Sequence, residues 1–155
     1  MKRILVLFVF IISYSGVYAQ FNMIGNGFSH IWEFFNEAPE FYVKTDTVNN
    51  GNTIVLTCKT SSPYPYYIYE IDVNDNECVS FCTVSKDYET LQTYFDLLSS
   101  IGTLESADSS KLNYVYSVPS HSKGQLYYSI MQPYTKSDFV SKRNIFYVVV
   151  TKELR

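Results

Sequence analysis

Residues that usually carry catalysis or bind metals are scarce in this chain. Its 155 residues include three cysteines, two histidines and one tryptophan. Three cysteines are too few for the disulfide-dense scaffolds that stabilise many small secreted domains. No pair among the cysteines and histidines has the C-x₂-C or H-x₃-H spacing that is typical of zinc sites. We therefore predict no catalytic residue, no metal ligand and no cofactor.

Signature motifs of common enzyme classes are also missing. The chain has no G-x-S-x-G sequence, no phosphate-binding loop and no dinucleotide fingerprint. A partial match to an EF-hand calcium loop begins at Asp72, Asn74 and Asn76. Glu77 then stands where that loop needs glycine, and Thr83 stands where it needs a bidentate glutamate. We interpret this segment as a polar turn between two strands.

Clusters of basic residues are a third absence. Twelve lysines and arginines stand against fifteen aspartates and glutamates, which gives a net charge of −3. Nucleic acids and anionic lipids are bound through clustered Lys and Arg side chains. We therefore expect neither nucleic acid nor an anionic lipid surface as a partner.

The first residues have the pattern of a secretory signal peptide. Two basic residues precede an unbroken apolar run at 4–12. Small side chains at Val17 and Ala19 then suit a signal peptidase, which predicts cleavage between Ala19 and Gln20. The apolar run is too short for a transmembrane span, which needs about 20 residues.

The remaining chain, residues 20–155, has the length of one domain. Cleavage removes two bases and no acid, so the net charge goes from −3 to −5. We expect a single α+β domain with no integral membrane segment after cleavage. Its predicted location is outside the cytosol, either secreted or in the periplasm or cell envelope.

Hydrophobic periodicity predicts two helices, near 28–37 and near 88–101. Period-two alternation and turn residues predict extended segments between and after them. These segments are 41–48, 53–59, 66–73, 78–84, 112–118, 125–131 and 145–151. The polar residues 105–110 are interpreted as a connection. The order helix, four strands, helix, three strands predicts an antiparallel sheet of six to seven strands with two helices packed on it.

The spacing of the cysteines argues against disulfides. Cys78 and Cys82 lie on one predicted strand about 13 Å apart, whereas a disulfide needs Cα atoms within about 7 Å. Cys58 and Cys82 form the better pair if their strands are neighbours. A simple meander over 53–84 would separate those strands by about 9.6 Å. We therefore predict three free thiols, with Cys58–Cys82 as the pairing if one exists.

Tyrosines supply the one candidate binding feature. Tyr64, Tyr66 and Tyr67 cluster around two prolines, and Tyr69 follows them. Alternation places Tyr66 and Tyr67 on opposite faces of a strand, so one of them is expected to face solvent. Exposed tyrosines are typical of interfaces because they give a large contact area at low entropy cost.

These observations favour a non-enzymatic binding domain that contacts an unknown protein or glycan through a tyrosine-rich sheet or loop surface. A small secreted hydrolase is a second hypothesis, with acids and His121 converging in a cleft. A third is a protease inhibitor with a helix on an antiparallel sheet, an arrangement similar to that of cystatins. The Gln-x-Val-x-Gly hairpin of that family is missing from this chain.

Overall fold

The computed structural model describes residues 23–108, 113–120, 123–131 and 145–152. The predicted signal peptide, its cleavage site between Ala19 and Gln20, and His121 lie outside these ranges.

The chain forms two helices and eight strands. The first half consists of α1 (Phe28–Asn36), β1 (Phe41–Val48), a 3₁₀ turn (Asn49–Gly51), β2 (Thr53–Thr60), β3 (Tyr66–Asp72) and β4 (Glu77–Ser85). The second half consists of α2 (Tyr88–Ile101), β5 (Thr103–Asp108), β6 (Asn113–Ser120), β7 (Gly124–Met131) and β8 (Phe146–Thr151).

All eight strands belong to one antiparallel sheet in the order β1-β2-β3-β4-β8-β7-β6-β5. Each half is a helix followed by a four-stranded meander. The last strands of the two halves, β4 and β8, pair at the centre of the sheet. The first strands, β1 and β5, form its two edges, so the halves are related by a twofold-like arrangement.

The prediction of six to seven strands, with three of them after the second helix, is wrong. The missing strand is β5, which covers part of the polar segment 105–110 that was interpreted as a connection. Five of its six residues are exposed, so they show no apolar alternation. A register shift between Leu104 and Ser106 leaves Glu105 as an extra residue. The two helices and the antiparallel sheet keep the chain in the α+β class.

Both helices pack on the same face of the sheet. In register across the strands, Leu56 lies opposite Tyr69, Tyr69 opposite Phe81, and Phe81 opposite Val150. These residues are buried with Phe35 of α1 in one hydrophobic cluster. Burying such side chains contributes about 1.5–3 kcal/mol each, which makes this layer the main source of stability.

The second helix covers the other half of that face. Leu91 and Leu98 are buried against Ile130 and Val148, whereas Phe95 is half-buried. The ring of Phe95 packs at the margin of the cluster. Tyr128 on β7 contacts both clusters, so the two halves share one continuous core.

The ends of α2 are fixed by Asp87 and Gly102. The Asp87 carboxylate accepts hydrogen bonds from the backbone N–H groups of Glu89 and Thr90, which satisfies two free donors of the first turn. The Thr90 hydroxyl also donates to it, and this bond lowers the pKa of Asp87. The Ser85 hydroxyl accepts a hydrogen bond from the Asp87 backbone N–H.

Glycine is required at position 102 by close packing. Its φ of −109° is open to any residue. A Cβ there would lie 2.9 Å from the carbonyl oxygen of Leu98 and 3.0 Å from that of Ser117. These contacts are shorter than carbon–oxygen packing allows, so the turn from α2 into β5 excludes a side chain.

Candidate binding face

The sheet face opposite α1 and α2, here called the open face, carries the candidate site. In the part of the chain that the structure describes, no helix packs on this face. Its central side chains come from the positions that alternate with the core residues. They are half-buried or buried without a second layer of helices, because neighbouring strands pack side chain against side chain.

A cross-strand row of large side chains lies at one end of the open face. Lys59 lies opposite Tyr66, Tyr66 opposite Val84, Val84 opposite Tyr147, and Tyr147 opposite Met131. Tyr66, Tyr147 and Met131 are half-buried, and Val84 is fully buried. We call these five residues the tyrosine row.

Two lysines hold the rings at this end. The Lys59 Nζ atom lies 4.7 Å from the ring centroid of Tyr66, and the Lys86 Nζ atom lies 4.4 Å from that of Tyr64. The rings of Tyr64 and Tyr66 are 5.8 Å apart and tilted by 37°. An ammonium group over a ring is attracted to its negative face. Tyr64 therefore extends the tyrosine row from the loop before β3.

The Tyr66 phenol is an uncharged hydrogen-bonding group. Burial raises its pKa, and the nearby phenols of Tyr147 and Tyr64 and the thiol of Cys82 add to the shift. A neutral phenol both donates and accepts hydrogen bonds. The row therefore offers aromatic surface together with the Tyr66 hydroxyl, which keeps this character at neutral pH.

Tyr67, the third sequence candidate, lies on the opposite face. It stacks on Phe81 at 6.2 Å with an interplanar angle of 21°, and it also contacts Phe35 and Phe41. The prediction that Tyr66 and Tyr67 point to opposite faces is confirmed. Tyr67 is half-buried beneath α1 and packs against the core, so it is not part of the open face.

Tyr147 belongs to the site but was missed by sequence reasoning. Residues 145–150 are all apolar or aromatic, a pattern that is typical of a strand covered on both faces. In the structure Phe146 and Val148 are buried in the core, whereas Tyr147 and Val149 are half-buried on the open face. The phenol hydroxyl of Tyr147, a polar group within this apolar run, was the sequence signal that could have placed it on an open face.

Charge on the open face changes along the strands. The tyrosine row has the ammonium groups of Lys59 and Lys86 at its end of the sheet. The other end carries Glu70 and Asp72, and Glu77 beside them is in an ion pair with Lys152. Between them lie small apolar and hydroxyl side chains, which include Ile68, Cys82, Val149, Ser129, Ser80 and Thr151.

Comparison of the chain with protein-family models, curated proteins and solved structures found no match.

The three cysteines cannot pair with one another in this fold. Cys58 lies opposite Tyr67 on the helix side, whereas Cys82 lies opposite Ile68 on the open face. Strand β3 also separates β2 from β4. Cys78 lies opposite Ile71, four residues further along β3 than Tyr67. All three thiols are free, and burial raises the pKa of each to about 12.

The EF-hand-like segment is a turn with a structural role. The Asp72 carboxylate accepts hydrogen bonds from the backbone N–H groups of Asn74 and Asp75, at 2.8 and 3.3 Å. Asn76 has a φ of 50°, and its side-chain oxygen accepts a hydrogen bond from the backbone N–H of Phe28 at the start of α1. Within the described ranges, no group of three or more His, Cys, Asp or Glu side chains could hold a metal ion.

No helix among residues 23–108, 113–120, 123–131 and 145–152 is both long and apolar enough to span a membrane.

Proposed function

We propose that this chain is a non-enzymatic binding domain that acts outside the cytosol, secreted or in the cell envelope, and contacts a protein partner through the open face. The tyrosine row carries the proposal. Three tyrosines and a methionine lie together at one end of a sheet face that no described helix covers.

The composition of this row supports a protein partner. Aromatic residues and methionine are enriched at the centres of protein interfaces, where they supply most of the binding energy. The rings of Tyr64 and Tyr66 already have a lysine over one face, so they lose little freedom on binding. A broad sheet face also presents contact area without a deep pocket, which suits a protein surface.

Lys59 of the row and Lys86 beside Tyr64 favour a partner with acidic residues at its rim. Lys59 is exposed, and Lys86 is exposed at the start of α2. Rim charges of this kind steer association and set register more than they add affinity. Binding through the row should therefore be faster at low salt.

Site-specific photo-crosslinking tests the proposal. A benzoylphenylalanine replaces Tyr66 or Tyr147 in the exported protein, and the matched control carries it at Ile101. Ile101 is an exposed apolar residue, at 51% of its surface, on the helix side. We expect a discrete adduct from Tyr66 and Tyr147 whose tryptic peptides identify a second protein, and no such adduct from Ile101.

Two results would overturn the proposal. Equal adducts from Ile101 and the tyrosine positions would show that the open face has no special role. An adduct that resists protease and contains sugar would show that the partner is a glycan and not a protein.

A further inference from the structure

The two edges of the sheet differ in backbone regularity, although both carry charged side chains. Unpaired backbone groups on an edge strand can pair with another chain, and natural edges are usually blunted by bulges or charges. Strand β5 is short and has a bulge at Glu105. Strand β1 pairs with β2 over all eight of its residues without irregularity. Within the described part of the chain, no strand pairs with its outer edge.

The open-face side chains of β1 have an ordered pattern. Tyr42 and Val48 are exposed apolar residues near its two ends, with 71% and 42% of their surface accessible. Lys44 and Asp46 lie between them and form an exposed ion pair with 2.5 Å between Nζ and Oδ2. The strand therefore presents, in order, an apolar, a basic, an acidic and an apolar side chain.

This pattern is complementary to itself when the strand is reversed. In an antiparallel pair centred on Thr45, Lys44 lies opposite Asp46 of the second copy. Tyr42 then lies opposite Val48 of the second copy, so both exposed apolar residues find an apolar neighbour. Opposite charges and aromatic–β-branched pairs directly across two strands are stabilising.

Other symmetric registers are unfavourable. A twofold axis perpendicular to the sheet keeps each side chain on its own face. Residues directly opposite each other must also share a face, so the axis has to pass through a residue and its copy and not between two residues. Centring the pair on Lys44 puts two lysines opposite each other, and centring it on Asp46 puts two aspartates opposite each other. Like charges directly opposite are destabilising. Thr45 is the centre at which both charges are compensated.

We propose that β1 pairs with β1 of a second copy of this chain, antiparallel about a twofold axis at Thr45. The contact is isologous, because the same strand is used by both copies, and it therefore closes as a dimer. It joins the two eight-stranded sheets into one and makes their open faces continuous. The inference depends only on the edge strand and is independent of the function of the tyrosine row.

Charge exchange at the two positions tests the register. Sedimentation equilibrium of the purified protein should show a concentration-dependent dimer. Lys44→Asp alone and Asp46→Lys alone should each be monomeric. Position 44 of each copy lies opposite position 46 of the other, so each single variant places two like charges opposite each other at both of these contacts. A mixture of the two single variants should form a heterodimer, and the double variant Lys44→Asp/Asp46→Lys should recover the homodimer.

Ser106→Lys on the opposite edge strand β5 is the matched control, and it should leave the dimer intact. Far-UV circular dichroism melts establish that each variant is folded. The proposal is overturned if the unmodified protein stays monomeric at about 1 mM, where a dimer with a millimolar Kd would hold about half of the chains. It is overturned equally if Ser106→Lys abolishes the dimer or if the mixed single variants do not associate.

Discussion

The side-chain oxygen of Asn76 accepts a 3.1 Å hydrogen bond from the backbone N–H of Phe28, which lies 48 positions earlier in the chain. The residue before α1 is Gly27, which has no side chain to cap the helix. A Cβ on Gly27 would lie 2.8 Å from the Asn76 Nδ2 atom. The turn between β3 and β4 therefore supplies the cap that the helix lacks, and it approaches closely because position 27 is glycine.

The first prediction isolates this cap. Asn76→Gly keeps the positive φ accessible and removes only the side-chain acceptor. We expect a loss of about 0.5–1.5 kcal/mol in the free energy of unfolding, measured by urea denaturation. Asn50→Gly is the control, because Asn50 has a similar φ of 56° and caps no helix. A loss as large for Asn50→Gly would show that the cost comes from the turn and not from the cap.

The second prediction compares adjacent leucines on α2. Leu98 is 1% exposed and Leu97 is 37% exposed. Leu98→Ala should lower the free energy of unfolding by about 2–5 kcal/mol because it leaves a cavity in the core. Leu97→Ala should change it by less than about 0.5 kcal/mol. Similar losses for the two variants in urea denaturation would mean that the helix face is wrongly assigned.

The third prediction concerns Gly102. Replacing it by alanine forces a Cβ against the carbonyl oxygens of Leu98 and Ser117. We expect a loss of about 1–3 kcal/mol, the usual cost of overpacking. Ser99→Ala, at an exposed position of the same helix, should be close to neutral. A neutral Gly102→Ala would show that the turn into β5 relaxes freely.

How far the sequence predicts this fold depends on burial. The strand from Tyr66 to Asp72 has Tyr67, Tyr69 and Ile71 at every second position because that face packs on the helix side, so its pattern predicts it. Strand β5 packs little and exposes most of its residues, so TLESAD carries no comparable signal. Its strand conformation depends on backbone hydrogen bonds to β6, and the polarity of its side chains does not predict that pairing.

The fourth prediction concerns the thiols. Ellman's reagent should count three thiols in the denatured, unreduced protein, because Cys58, Cys78 and Cys82 are separated by strand β3 or by the sheet itself. In the native protein the buried Cys58 and Cys78 should react far more slowly. A count of one would contradict the strand order.

These thiols also make stability depend on alkaline pH. Burial raises the pKa of Cys58 from 9.0 to about 12 in the folded protein. Above pH 9 the unfolded chain therefore releases a proton that the folded chain retains, so stability is full below that pH and falls as the pH rises toward about 12. Cys58→Ala should show a shallower fall in urea denaturation between these pH values. If Cys58→Ala leaves the fall of stability with pH unchanged, the Cys58 thiol is exposed to solvent in the folded protein.

The candidate site was only partly predictable from sequence. Alternation separates Tyr66 from Tyr67 but does not say which of them faces the helices, because both are aromatic and both suit a strand. Tyr147 joins Tyr66 through β4, and that neighbourhood depends on β4 pairing with β8 across the centre of the sheet. Such long-range pairing is set by the whole fold, so no local pattern contains it.

The affinity of the crosslinked partner for variants of the open face tests the central claim most directly. Tyr66→Ser/Tyr147→Ser removes both rings, and Ile101→Ser removes an exposed apolar side chain from the helix side. With circular dichroism showing that both variants are folded, the double variant should bind at least about tenfold more weakly than the unmodified protein, since losing both rings from an interface centre should cost about 1.4 kcal/mol or more in total. Ile101→Ser should bind as tightly as the unmodified protein. Equal affinity for the double variant and the unmodified protein would contradict a binding function for the tyrosine row.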